Sequence, residues 1–251
     1  LHILPGKDRS SQLEGTTTFI RKRFGKRPRS AWFYNQIWNP SFVSTMGLGS
    51  LDRLIISSYD RLHDQVIATE PFVMQDMGKT IEVFPFDDHI DNLITLLSTN
   101  AISLKEFSER LALCNFDRAD THHTVMINLD RLMQSCAIQS ASTAITDLFI
   151  MVLERVIEAS QMDMALLSAL PLNTLEPRGY LSAGWYGRDS AVIDIGSFNE
   201  QFIKYEALNH LYGRLLYLVD LARLYRKNKD TKKRVEHALV KAGAGGAFVL
   251  D

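Results

Sequence analysis

The chain has 251 residues, 46% hydrophobic and 23% charged, with a formal net charge of -1; it is long and apolar enough to bury a sizeable core and falls outside the disordered class. The small net charge hides a polarity: residues 15–51 hold six basic and no acidic side chains, residues 52–222 hold 24 acidic and 12 basic, and residues 223–241 hold eight basic against Asp230 and Glu236. Two cysteines, Cys114 and Cys136, without CxxC spacing exclude a disulfide scaffold and a cysteine zinc site, and they favour a reducing compartment while leaving one bridge open.

Residues 1–18 mix Gly, Ser, Thr and charge without an apolar period. Gly25 and Pro28 interrupt the basic run that follows, and proline costs about 3 kcal/mol inside a helix. The sequence therefore predicts an extended basic and aromatic arm over residues 1–49. The chain starts at Leu1 rather than Met, which suggests processing or trimming, and "LHILPG" is too short for a signal sequence.

A helical domain is expected over residues 50–242. Ser50 reads as an N-cap, followed by Leu51, Leu54, Ile55, Tyr59, Leu62 and Val66 at helical spacing. Residues 71–86 read as one minor β-hairpin turning at Met77-Gly78-Lys79. Residues 87–100 open with acids suited to a helix N-terminus, and Ser103 with Glu106 has capping-box spacing. The pattern from Thr121 to about Ser160 is helical. Its most apolar run, 144–153, contains Asp147 and is too short to span a membrane. Residues 171–196 read as a long irregular connection. From the second capping box at Ser197 to about Lys229, one long helix is expected, apolar on most sides, and a glycine-rich tail follows over 243–251.

Several segments suggest chemistry. In 19–38, Arg21, Lys22, Arg23, Lys26, Arg27 and Arg29 precede Trp32, Phe33, Tyr34 and Trp38. Such a segment can neutralise phosphates and stack on bases, or dock on an acidic protein surface with its aromatics as anchors. Tyr180, Trp185, Tyr186 and Arg188 form a second candidate contact in the long connection. Residues 103–132 resemble a winged helix-turn-helix, with an amphipathic capped helix, a turn and a second helix ending in "LDRL". The resemblance implies that Thr121, His122, His123, Thr124 and Asn128 lead a major-groove helix. A helical hairpin within the core is the competing reading, since Asp117, Asp120 and Asp130 repel phosphate.

His63-Asp64 resembles the doublet of HD-type metal phosphohydrolases, which implies converging ligands. His2 is the sole upstream histidine, so a coincidence on a helix surface competes. Asp87, Asp88, His89 and Asp91 are hard-metal ligand types that a helix N-terminus explains equally well. The "KAGAGGAFVL" segment lacks the strand, loop and helix order of a phosphate cradle.

Taken together, the sequence predicts a mainly α protein: a helical bundle-like domain with one minor β-hairpin and an extended N-terminal arm. The expected function is that of a non-enzymatic structural or assembly subunit, as in a viral particle or secretion-type machine. It would dock on other subunits or copies of itself through the arm and the long apolar helix. The alternative is nucleic-acid binding through the arm, and a metal-dependent hydrolase is the remote third. No catalytic residue, metal or cofactor is assigned. An intracellular location, or one within an assembled particle, is expected.

Overall fold

The computed structural model describes residues 6–33, 36–60, 65–66, 70–114, 122–127, 144–161, 163–170, 177–186, 200–224 and 229–242. Before the sheet begins, α1 runs over Gly6–Phe24. Strands β1 (Ser30–Trp32) and β2 (Ile37–Trp38) follow, then α2 (Phe42–Leu48), β3 (Arg53–Ser57), β4 (Tyr59–Asp60) and β5 (Gln65–Val66). Next come β6 (Phe72–Asp76), β7 (Lys79–Phe86), α3 (Asp88–Ser98), α4 (Leu104–Ala112) and α5 (Ala144–Ser160). A 3-10 turn at Leu167–Ala169 precedes β8 (Pro177–Gly179) and β9 (Gly184–Trp185). The last elements are α6 (Glu200–Lys204), α7 (Glu206–Leu224) and α8 (Lys229–Ala242).

The main sheet has five strands in the order β1-β3-β7-β6-β8. β1, β3 and β7 run parallel, β6 is antiparallel to β7, and β8 is parallel to β6. This mixed sheet corrects the expectation of a helical bundle with one minor hairpin. The hairpin of β6 and β7 exists, but it is the middle of a larger sheet. The helical spacing seen over 50–68 came from "RLIIS", a run buried on both faces of a parallel strand, where a period of two is masked. Ser50, expected as a helix cap, has a left-handed φ of 60° and ends the turn after α2.

The extended arm is corrected too. Leu13 and Thr17, one helical turn apart, are the two buried residues of α1, a stripe too narrow to register as apolar periodicity. The helix ends at Gly25, whose φ of 78° is the left-handed conformation favoured just past a helix terminus. Arg9 lies 5.0 Å from the Phe42 ring centre and donates to Ser41 Oγ at 3.1 Å, which seats α1 on α2. Further along, Tyr205 separates α6 from α7, where one continuous helix was expected.

Among the described residues three hydrophobic clusters hold the elements together, the smallest joining Ile37 of β2 to Phe202 of α6 and Leu215 of α7. One face of the sheet presents Leu54, Ile56, Phe72, Met74, Ile81 and Val83 to Phe42, Val43 and Met46 of α2, with Leu13 and Trp38 closing the layer. The second core joins Ile90, Leu93, Ile94 and Leu97 of α3 to Phe107 and Leu111 of α4 and Val152 of α5. Both of its first helices start on real caps, with Asp87 accepting from the His89 amide and Ser103 from the Glu106 amide. Residues 122–127, read as the start of a recognition helix, are not helical, and Thr124 forms an isolated parallel bridge with Phe86. The helix-turn-helix reading is thereby corrected for the described residues.

Candidate functional site

Side chains alternate across a strand, so the face of the sheet turned away from α2 carries Trp32 on β1, Arg53, Ile55 and Ser57 on β3, and Glu82, Phe84 and Phe86 on β7. Register places Arg53 opposite Glu82 and Ser57 opposite Phe86. The two ends of this face differ in chemistry. At the N-terminal end a buried ion pair joins Arg53 to Glu82, with Nε to Oε2 at 2.9 Å. The same guanidinium donates to the carbonyls of Leu167 and Leu170, the second at 2.9 Å, and lies 5.6 Å from the Phe84 ring centre. Burial raises the Glu82 carboxyl above its ordinary range, while Arg53 pulls the other way.

The C-terminal end is a polar rim. Fully buried Ser57 donates its hydroxyl to Asp88 Oδ2 and accepts from the Tyr59 amide at 3.0 Å. Ser58 donates its amide to the Phe86 carbonyl at 2.9 Å. Gln36 accepts from the Ser57 amide at 2.8 Å through Oε1. Asp60 is 3% exposed and its backbone bridges Tyr186, whose hydroxyl donates to the Ser182 carbonyl at 3.0 Å. Burial, with the nearby Asp60 carboxylate adding to it, pushes the Tyr186 phenol up to about 12. The Asp87 amide donates to the Thr124 carbonyl at 3.3 Å, which brings His123 and Thr124 to the same rim.

Among these groups Asp88 is a part-exposed carboxylate. It sits in the first turn of α3, where the helix dipole favours its charge, and the Ser57 hydroxyl orients it. Parallel-strand α/β enzymes place their chemistry at this end of the strands because the turns there converge on one surface. Among the described residues no group of three or more His, Cys, Asp or Glu is placed to hold a metal ion.

The residues singled out in the sequence lie elsewhere or apart. Arg21, Lys22, Arg23 and Lys26 are exposed at the end of α1, Arg27 is half-buried, and Arg29 pairs with Asp52. Trp38 is buried and donates to the Leu181 carbonyl at 3.2 Å, while Phe33 packs on Trp38 and Phe42. Trp32 remains 44% exposed. Tyr180 is 64% exposed, Tyr186 is buried, and the Trp185 backbone pairs with Ile37. Tyr34, Arg188, His63-Asp64, Thr121 and Asn128 lie outside the described residues, as does the glycine-rich tail. The rim residues Gln36, Ser57 and Asp60 were missed because each looks ordinary alone, and Asp88 stands out only as a hard-metal ligand type or helix starter. Their shared signal is an apolar β run that stops on polar residues: "LIIS" into "SYD", and "VFPF" into "DDH".

Comparison with solved structures covers nearly the whole chain. A crystal structure of 4-alpha-glucanotransferase from Thermococcus litoralis superposes with a TM-score of 0.64 at 17% identity, over 95% of this chain and 41% of that one. A maltose-forming amylase from Pyrococcus sp. ST04 gives 0.59 at 10% identity, over 99% and 49%. The fold is that of a part, under half, of each of these two enzymes.

Sequence similarity points the same way. Over 97 residues the chain is 29% identical to 4-alpha-glucanotransferase of Thermococcus kodakarensis and 26% to that of Thermococcus litoralis; over 103 residues it is 26% identical to an alpha-amylase of Pyrococcus horikoshii. The matches span 38–40% of this chain and about 15% of the curated relatives' length. No protein-family model matches. These neighbours overturn the expectation of a non-enzymatic structural or assembly subunit. The physical reason is that groups gathered from separate strand ends leave no local motif. No helix among the described residues is long and apolar enough to cross a membrane.

Proposed function

We propose that this chain belongs to a carbohydrate-active enzyme that transfers or hydrolyses α-glucan chains, and that the glucan lies on the polar rim at the C-terminal ends of β1, β3 and β7. The observation that carries the reading is the joint one: a fold like that of a 4-alpha-glucanotransferase, with hydroxyl, amide and carboxylate groups collected at that rim. Glucan recognition needs many donors and acceptors at fixed spacing together with a ring surface. Asp88 and Tyr59, both part-exposed, supply the polar side, and Trp32 offers an exposed indole on the same sheet face as the buried Ser57 that orients Asp88.

Glycosyl transfer and hydrolysis commonly use carboxyl groups as acid, base or nucleophile. Asp88 is the described rim carboxylate best placed for such work, being part-exposed and oriented by Ser57. The test is to incubate the purified chain with maltoheptaose and resolve the products by chromatography, with calorimetry for binding. Redistribution to longer and shorter oligomers indicates transfer, and shorter products alone indicate hydrolysis. A folded chain that neither binds nor converts millimolar maltoheptaose sinks the proposal.

A further inference from the structure

Gln36 follows β1 and carries a left-handed φ of 51°, a conformation that residues with a Cβ adopt only at a cost. Its backbone amide and its side-chain Nε2 both donate to the Phe33 carbonyl at 2.8 Å. Oε1 accepts from the Ser57 amide at 2.8 Å, and the Gln36 carbonyl accepts from the Tyr186 amide at 2.9 Å. One residue thus ties the end of β1 to the end of β3 and to the residue after β9. Ser57 then passes the connection to Asp88 at the start of α3.

We infer that Gln36 is a positioning residue of the proposed glucan site: through its amide it holds the ends of β1 and β3, and through Ser57 the Asp88 carboxylate, in one fixed arrangement. The inference rests on the glucan reading of the rim. A primary amide suits the task because it donates and accepts on one planar group. Glutamate retains the acceptor for Ser57 but loses the donor to Phe33. Leucine matches the shape and provides neither.

The experiment compares wild type, Gln36→Leu, Gln36→Glu and a control, Arg53→Lys, which perturbs the opposite end of the same strands. Three quantities are read: thermal melting, hydrogen exchange at the Ser57 amide, and calorimetric affinity for maltoheptaose well below the melting temperature. Expected for Gln36→Leu are exchange at Ser57 at least tenfold faster and affinity at least tenfold weaker. Gln36→Glu should fall between Gln36→Leu and wild type, and it carries the test if the leucine variant does not fold. Arg53→Lys should melt earlier yet bind as wild type does. Retained affinity, within twofold, in a Gln36 variant whose Ser57 amide has lost protection overturns the positioning role alone. Loss of affinity in Arg53→Lys equal to that in Gln36→Leu also overturns it, since general destabilisation would then suffice. Wild type that binds no maltoheptaose removes the glucan reading and this role together.

Discussion

Arg53 and Glu82 face each other in register across two parallel strands and form a buried ion pair at 2.9 Å, Nε to Oε2. Both side chains lie in the sheet interior, at 1% and 7% exposure for the residues as a whole. Arg53 also holds two carbonyls of the 163–170 segment, so the pair fastens that segment to the sheet.

Breaking one partner should therefore be costly. Glu82→Leu leaves a buried guanidinium without its counter-ion and should destabilise by about 3–5 kcal/mol. Replacing both partners with apolar residues should cost clearly less than that, because the desolvation of both charges is then avoided. Urea denaturation of the two variants against wild type checks the order. A double variant less stable than Glu82→Leu would contradict it.

A pH dependence follows from the same pair. The folded-state carboxyl of Glu82 is raised by burial, so the folded chain binds its proton more readily than the unfolded chain does. Its contribution to stability is then greatest below the unfolded carboxyl range and declines as pH rises through the folded value. Denaturant midpoints across that interval, compared with those of Glu82→Gln, should show this downward component in wild type and not in the variant.

Cys114 ends the first turn after α4, half-buried, with its Sγ 3.7 Å from the Arg110 carbonyl. Burial, assisted by the Asp87 carboxylate, pushes the thiol up to about 11. Thiolate is the reactive form, so iodoacetamide at neutral pH should label Cys114 at least tenfold more slowly than a free thiol of pKa about 8.5. Peptide mapping of the folded chain against a urea-unfolded sample reads this directly, and equal rates would show the site to be open.

Trp32 tests where the sugar lies. Its indole stands on the rim side of an edge strand at 44% exposure, so Trp32→Ala loses the packing of its covered part as well as the open ring face and should melt earlier. Aromatic contacts are worth about 0.5–1.5 kcal/mol beyond burial, so maltoheptaose affinity, read well below the melting temperature of the variant, should fall roughly fivefold. A variant with undiminished affinity would place the sugar elsewhere.

How much of this is readable in sequence differs element by element. α3 and α4 are legible because their caps, Asp87 and Ser103, precede apolar residues at three- and four-residue steps that really do share one core. β3 is not, since a strand covered on both faces loses its alternation, and Leu54 with Ile55 also fits a helix. α1 is hidden for the opposite reason, having two buried residues in nineteen. Of the rim, the acids at 87 and 88 are visible, but only as helix starters or hard-metal ligand types. Their meeting with Ser57 and Gln36 depends on a parallel pairing across 29 residues, from Arg53 to Glu82, and single-residue patterns do not encode such pairings.

The 177–186 stretch gives the protein a particular vulnerability during synthesis. It supplies the acceptor for the Trp38 indole, the neighbour of β6 in the sheet and the partner of the Gln36 carbonyl. Until those residues leave the ribosome, the Trp38 indole keeps its hydrogen bond to water and cannot be buried without losing it. The nascent chain also presents a bare strand edge that invites pairing with another copy. Ribosome-bound chains halted before Pro177 should accordingly resist compaction and aggregate when released, whereas chains halted well beyond Tyr186 should be protected from protease. The order of emergence, as much as the final packing, decides when this fold becomes safe from its own unfinished edge.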